Sequence, residues 1–271
     1  MSTVSLTGAS AYAGNDRLLA GIVMSVLTFW LFAQSVINVV PAMQNSLDIA
    51  LETLTLAVSL SALFSGCFVV ACGGFADKFG RMRLTMTGLI LSMIGSGLLF
   101  ISWEPVLFLV GRAIQGLSAA CIMPATLALI KTWYDGKARQ RAISFWVIGS
   151  WGGSGLSSFV GGAIATTLGW RWIFIFSMVV ALAALLLIRA TPESRSPDAC
   201  RHKLDISGLV SFVLMLVLFN LFISKGHSWG WSSSLSLLVL CGAVIALMCF
   251  VVTGRRKGDA ALIDFALFKN R

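Results

Sequence analysis

The sequence predicts an all-α, polytopic transmembrane protein, and three observations carry that reading. Of the 271 residues, 58% are apolar. Only 11% are charged, against roughly 25% in a typical soluble domain. The charges gather in short clusters that separate eight apolar runs. About 20 residues at 1.5 Å rise cross a ~30 Å hydrocarbon core, so each run is long enough to span. A mean hydropathy of +0.90 excludes a disordered tail, a coiled coil or a water-soluble enzyme with a polar shell.

The runs place helices at Leu18–Val40, Leu54–Ala76, Leu84–Trp103, Val106–Ile130, Ala142–Leu168, Trp170–Ile188, Ile206–Ser224 and Leu235–Val252. Pro41 closes the first, and Glu104-Pro105 separates the third from the fourth. Thr191-Pro192-Glu193 opens a polar stretch after the sixth. The first run is too long for a signal-peptide core and has no small-residue cleavage site after it.

Seventeen of the 20 basic residues lie in alternate connecting segments, around Arg17, Lys78–Arg83, Lys131–Arg141, Arg189–Lys203 and Arg255–Arg271. The opposite loops hold only Arg171 and Lys225. Basic loops resist translocation, so both termini are expected in the cytoplasm of a multi-pass protein of the cell membrane. That bias accounts for the net charge of +9 without nucleic acid as a partner. Anionic lipid shares the same basic face. Trp103, Trp170, Trp172, Trp229 and Trp231 fall at the outer ends of spans, as an aromatic belt does. Five of the six cysteines sit inside apolar runs and read as small buried hydrophobes, giving neither a disulfide framework nor a metal site.

All eleven acids lie at helix ends or in loops, which leaves Arg112 as the one ionisable group at depth. Gln115, Gly116 and Ala119 share its helix face. A bundle-interior role is expected for Arg112, with carbonyls near the first helix and Gln34 accepting its hydrogen bonds. Trp30, Gln34 and Asn38 recur at four-residue spacing and, with Trp151, are candidates to line a substrate cavity. Interhelical hydrogen bonding explains the first three equally well. The fifth run is rich in glycine, with Gly149 and Gly153 spaced for close helix packing.

These residues resemble a known family. Gly73-Gly74-Phe75-Ala76-Asp77-Lys78-Phe79-Gly80-Arg81-Met82-Arg83, between the second and third helices, resembles the major facilitator superfamily signature G-x-x-x-D-[RK]-x-G-R-[RK]. Met82 takes one usual basic position, and Arg83 follows. Arg112, Gln115 and Gly116 resemble the fourth-helix R-x-x-Q-G motif. Gly153, Gly161 and Gly162 resemble the antiporter motif of the fifth helix, with Ser157-Ser158 where Gly-Pro is usual. Gly169–Phe174 and Leu262–Phe265 resemble the fourteen-helix drug:proton antiporters of the EmrB/QacA type. Over the whole chain the sequence is similar to quinolone-exporting members of that subfamily.

The resemblance implies a tail at 1–17, a six-helix bundle at 18–188, a cytoplasmic loop at 189–205, an extra helix pair at 206–252 and a cytoplasmic segment at 253–271. It implies multidrug efflux driven by the proton motive force, with a small drug-like substrate, protons and the lipid bilayer as partners. No cofactor and no metal are implied. Gly73, Asp77, Lys78, Gly80, Arg81 and Arg83 would form a conformational latch, with Asp77 accepting from a helix N-terminus or a basic group. Arg112, Gln115 and Gly116 would tune the cavity field. The first helix lacks the acid often found before its Asn-Val-x-x-Pro segment, so the titrating group is expected outside this chain. Such exporters carry a second six-helix half, and the chain is expected to be the N-terminal part of one. A non-transporting membrane protein, or a partner of another transporter chain, is the alternative. A membrane-embedded enzyme is disfavoured, since both histidines lie in loops and no carboxylate is buried.

Overall fold

The structure is a computed structural model that describes residues 13–47, 51–195 and 205–257, with the side chains of Gln34, Asn45, Glu52 and His227 outside the described set. The Leu262–Phe265 motif and most of the 189–205 and 253–271 segments lie outside the described residues. Each of the eight expected segments is helical among the described residues. They are α1 (Asp16–Leu47), α2 (Leu51–Phe79), α3 (Arg81–Ile101), α4 (Pro105–Trp133), a composite fifth span, α7 (Trp172–Ile188), α8 (Ile206–Trp229) and α9 (Ser234–Lys257). The fifth span comprises α5 (Gly136–Val147), a π-helical turn (Ile148–Gly152) and α6 (Gly153–Thr167). Among the described residues, six helices are long and apolar enough to cross a membrane. The fifth span is divided by its π turn, and α7 has 17 residues.

Two expectations are corrected. Pro41 does not end the first helix, which runs on to Leu47. Proline removes one backbone donor, but in a packed membrane helix neighbouring groups compensate for it. The Gly73–Arg83 signature is not a loop either. Gly73–Phe79 is helical, Arg81 already begins α3, and Gly80 alone separates the two helices. Pro105 agrees with expectation: it occupies the first turn of α4, where its missing N–H would be unpaired anyway.

In the bundle α4 packs on both α2 and α3, while α7 packs on α1 and α3 and α6 packs on α1. Two apolar clusters result. Ile22, Leu89, Ile122, Leu129 and Ile188 fill the half toward the basic clusters, called here the basic end. Val36, Leu54, Leu99, Phe108 and Phe174 fill the opposite half. On each of α3 and α4 a short polar stretch separates the two, and Arg112 lies in it.

The pair α8–α9 forms its own hairpin and touches the bundle through α2. Asp205 caps α8 by accepting from the Gly208 N–H at 2.8 Å. The same carboxylate accepts from Lys257 Nζ at 2.6 Å and so clamps the basic ends of the two helices. Much of the outer surface, including Leu238, Ile245 and Met248, is apolar and exposed, as a lipid-facing surface must be.

Trp103 (71% exposed) and Trp231 fit the aromatic belt, but Trp170 does not. It is buried and donates from Nε1 to Ser46 Oγ at 2.8 Å. Arg171 lies between the rings of Trp103 and Trp170, 4.1 and 4.4 Å from their centroids. Partial burial lowers the pKa of its guanidinium from the ordinary value, while two electron-rich ring faces favour the cation.

Candidate functional site

Arg112 stands seven residues into α4, roughly 10 Å along its axis. It has no solvent exposure. A guanidinium carries five donors and no acceptor, so burial demands oxygen partners around it. Three helices supply them. Nη1 donates to the Phe32 carbonyl of α1 at 2.7 Å and to Gln115 Oε1 at 2.9 Å. Nη2 donates to Ser61 Oγ of α2 at 2.8 Å, and Nε to the Ala57 carbonyl at 3.3 Å. Gln115 passes the network on by donating to Ser96 Oγ of α3 at 3.1 Å. Every acceptor is neutral, and among the described residues Arg112 has no ion-pair partner. Gly116 lets α4 approach α2, since a Cβ there would stand 2.4 Å from the Ser61 carbonyl.

The second candidate region is the α2–α3 junction at the basic end. Gly80 has φ +124°, a conformation that side chains strain. A Cβ at Gly80 would also collide with the Glu193 carboxylate at 2.4 Å. That carboxylate accepts from the Met82 and Arg83 N–H groups, each at 2.9 Å, and the Arg81 N–H donates to the Ser194 carbonyl at 3.0 Å. Three orphan donors at the start of α3 are thus satisfied by the strand of chain leaving α7, and a negative charge meets the positive helix end.

Of the two partners expected for Asp77, a helix N-terminus or a basic group, the structure shows the basic one: Arg81, whose Nη2 and Nε donate at 2.7 and 2.9 Å. Arg81 also donates to Thr132 Oγ1 of α4. Lys78 lies over the Phe79 ring, and Arg83 stands 3.7 Å from Glu193. A Cβ added at Gly73 would make only ordinary contact with Pro124. Glu193 was missed as a site residue. Its sequence signal, Pro192-Glu193 after an apolar run, marks only a helix end, and its partners lie about 110 residues earlier.

The third region is the seam between α1 and the fifth span. Gly149, Gly153, Ser157 and Gly161 recur every four residues and face α1 at Val23, Leu27, Trp30 and Ser35. Ser35 Oγ donates to the Ser157 carbonyl at 2.7 Å, and a Cβ at Gly161 would fall 2.4 Å from Ser35. Gly162 faces open space and takes no part.

The profile of the Major Facilitator Superfamily matches residues 18–258. The chain belongs to that superfamily. It is 55% identical to quinolone resistance protein NorB of Staphylococcus aureus strains MRSA252 and MW2, over 260 and 261 residues. Each match covers 96% of this chain and 56% of the relative, so the chain spans about half the length of the curated relatives it matches. The fold is also similar to the crystal structure of the POT family transporter PepTSo, at a TM-score of 0.59 and 17% identity, covering 87% of this chain and 52% of that one.

Within this major facilitator bundle, the proposed cavity residues differ in exposure. Trp151 is 74% exposed on the π turn, and Asn38 is exposed on α1. Trp30 is half-buried against Gly153, and its Nε1 has no acceptor among the described residues.

Proposed function

We propose that this chain supplies the N-terminal bundle and extra helix pair of a secondary transporter that exports drug-like molecules in exchange for protons. It would lie in the cell membrane with both termini in the cytoplasm. Alternating access requires two bundles rocking about a midplane site, and one six-helix bundle is described here. The observation that supports the reading best is the Arg112 layer. It places a permanent positive charge at membrane depth, held by α1, α2 and α4, and Arg cannot release its proton. The titrating acid then belongs to the second bundle, while Arg112 sets the field in the cavity between the two. The exposed positions Asn38 and Trp151, with Trp30, would face that cavity once both bundles are present. The Gly73–Arg83 junction would act as the latch at the cytoplasmic end, with Asp77–Arg81 presented by the Glu193 cap.

Proteoliposomes test this reading. The 271-residue chain alone, under an imposed pH gradient, should move no fluoroquinolone. A transporter carrying this chain together with a second bundle should export it, and Arg112→Ala should abolish that export. Drug-dependent proton flux through the 271-residue chain alone would refute the assignment. Orientation has its own test: an impermeant thiol reagent added outside cells should label Ser232→Cys and spare Met82→Cys.

A further inference from the structure

We propose that Cys72 and Cys121 form a two-thiol site in the α2–α4 seam that takes a trivalent organoarsenical. Their sulfurs lie 3.6 Å apart on facing helices, within hydrogen-bonding contact. Both residues are buried, against Phe68, Phe75 and Ala120. A disulfide needs its sulfurs at ~2.0 Å, so oxidation would have to draw two packed helices together. A single bridging atom needs far less movement. Two sulfurs bonded to one pyramidal centre by ~2.3 Å bonds, at an angle of roughly 100°, stand roughly 3.5 Å apart.

Two features select the bridging atom. Among the described residues there is no group of three or more His, Cys, Asp or Glu that could hold a metal ion. Zinc would therefore lack half of its four ligands. An organoarsenic(III) centre needs only two thiolates, because its third bond is to its own carbon. Its product is also uncharged, as an apolar seam requires. The step is a condensation between R–As=O and two thiols. Two As–S bonds form, two S–H bonds break, and the oxygen leaves as water with both protons. Arsenic stays trivalent, and no oxidant or reductant takes part.

The location gives the site a mechanical effect. A Cβ added at Gly73, next to Cys72, would stand 3.7 Å from the Pro124 side chain, so α2 runs close to Pro124 there. Proline at 124 cannot donate to the Ala120 carbonyl, which weakens α4 beside Cys121. A bridge there would pin α2 to α4 at the point where α4 can bend.

The test uses the folded chain in detergent with Cys67, Cys200, Cys241 and Cys249 all changed to Ser, and phenylarsine oxide as the probe. Intact mass should show one arsenical per chain that survives washing with a monothiol. A further Cys72→Ser or Cys121→Ser should each cut the retained adduct at least tenfold. In the unaltered chain, the peptides containing Cys72 and Cys121 should be recovered joined through one arsenic. No retained adduct on either folded chain, or retention that neither single change reduces, would overturn the site.

Discussion

Arg112 and the Gly80 junction are both built around arginine, but they hold charge in opposite ways. Arg112 has no exposure and is surrounded by neutral oxygens from α1, α2 and its own helix. At the junction, Arg81 meets Asp77, Arg83 stands near Glu193, and Glu193 meets a helix end. The Asp77 side chain is 42% exposed there. A charge in the interior cannot be relieved by water, so each acceptor around Arg112 has a large effect if lost. Charges at the edge are screened, and their pairs are worth little unless they also satisfy backbone groups. The comparison thus separates Glu193, which does satisfy backbone groups, from Asp77, which does not.

Four substitutions break or sharpen that contrast, and thermal unfolding in detergent ranks them. Arg112→Ala should have the largest effect, about 3 kcal/mol or more, because it opens a cavity and strands Ser61 and Gln115. Gly161→Val follows at about 2 kcal/mol, since its side chain meets Ser35 across the α1 seam and overpacks it. Glu193→Ala should cost about 1–2 kcal/mol, the value of a lost helix cap with its charge. Faster amide exchange confined to Arg81–Arg83 would identify the cause. Asp77→Ala should come last, below about 1 kcal/mol, as an exposed pair four residues apart. A larger loss from Asp77→Ala than from Glu193→Ala would reverse the assignment of roles at the junction.

What was legible in the sequence follows from the range of the forces involved. Apolar helices are set by local hydropathy, and all eight expected segments are helical, within a few residues at most ends. Arg112 was legible because a lone charge in an apolar run must turn inward, and Gln115 because it lies one turn away. The glycine stripe was legible as spacing, although its partner α1 was not. Glu193 and Trp170 were misread because their partners, Met82 and Ser46, are distant in sequence and the contacts exist only after the helices pack. Pro41 misled because a soluble helix would stop there, whereas a membrane helix has no water to receive its freed backbone groups. The cavity residues were chosen by type and spacing, and a cavity between two bundles involves a surface that local sequence does not describe.

The π turn at Ile148–Gly152 has a genetic corollary. Such a turn holds one residue more than an α-helix would accommodate in the same rise. Removing a single codon there could restore a regular helix without shortening the span appreciably. The residues beyond it would keep their facing, because the widened turn absorbs the extra residue. Gly153, Ser157 and Gly161 would stay against α1. The same one-codon deletion in the regular helix on either side has no such buffer and would swing everything beyond it by about 100°.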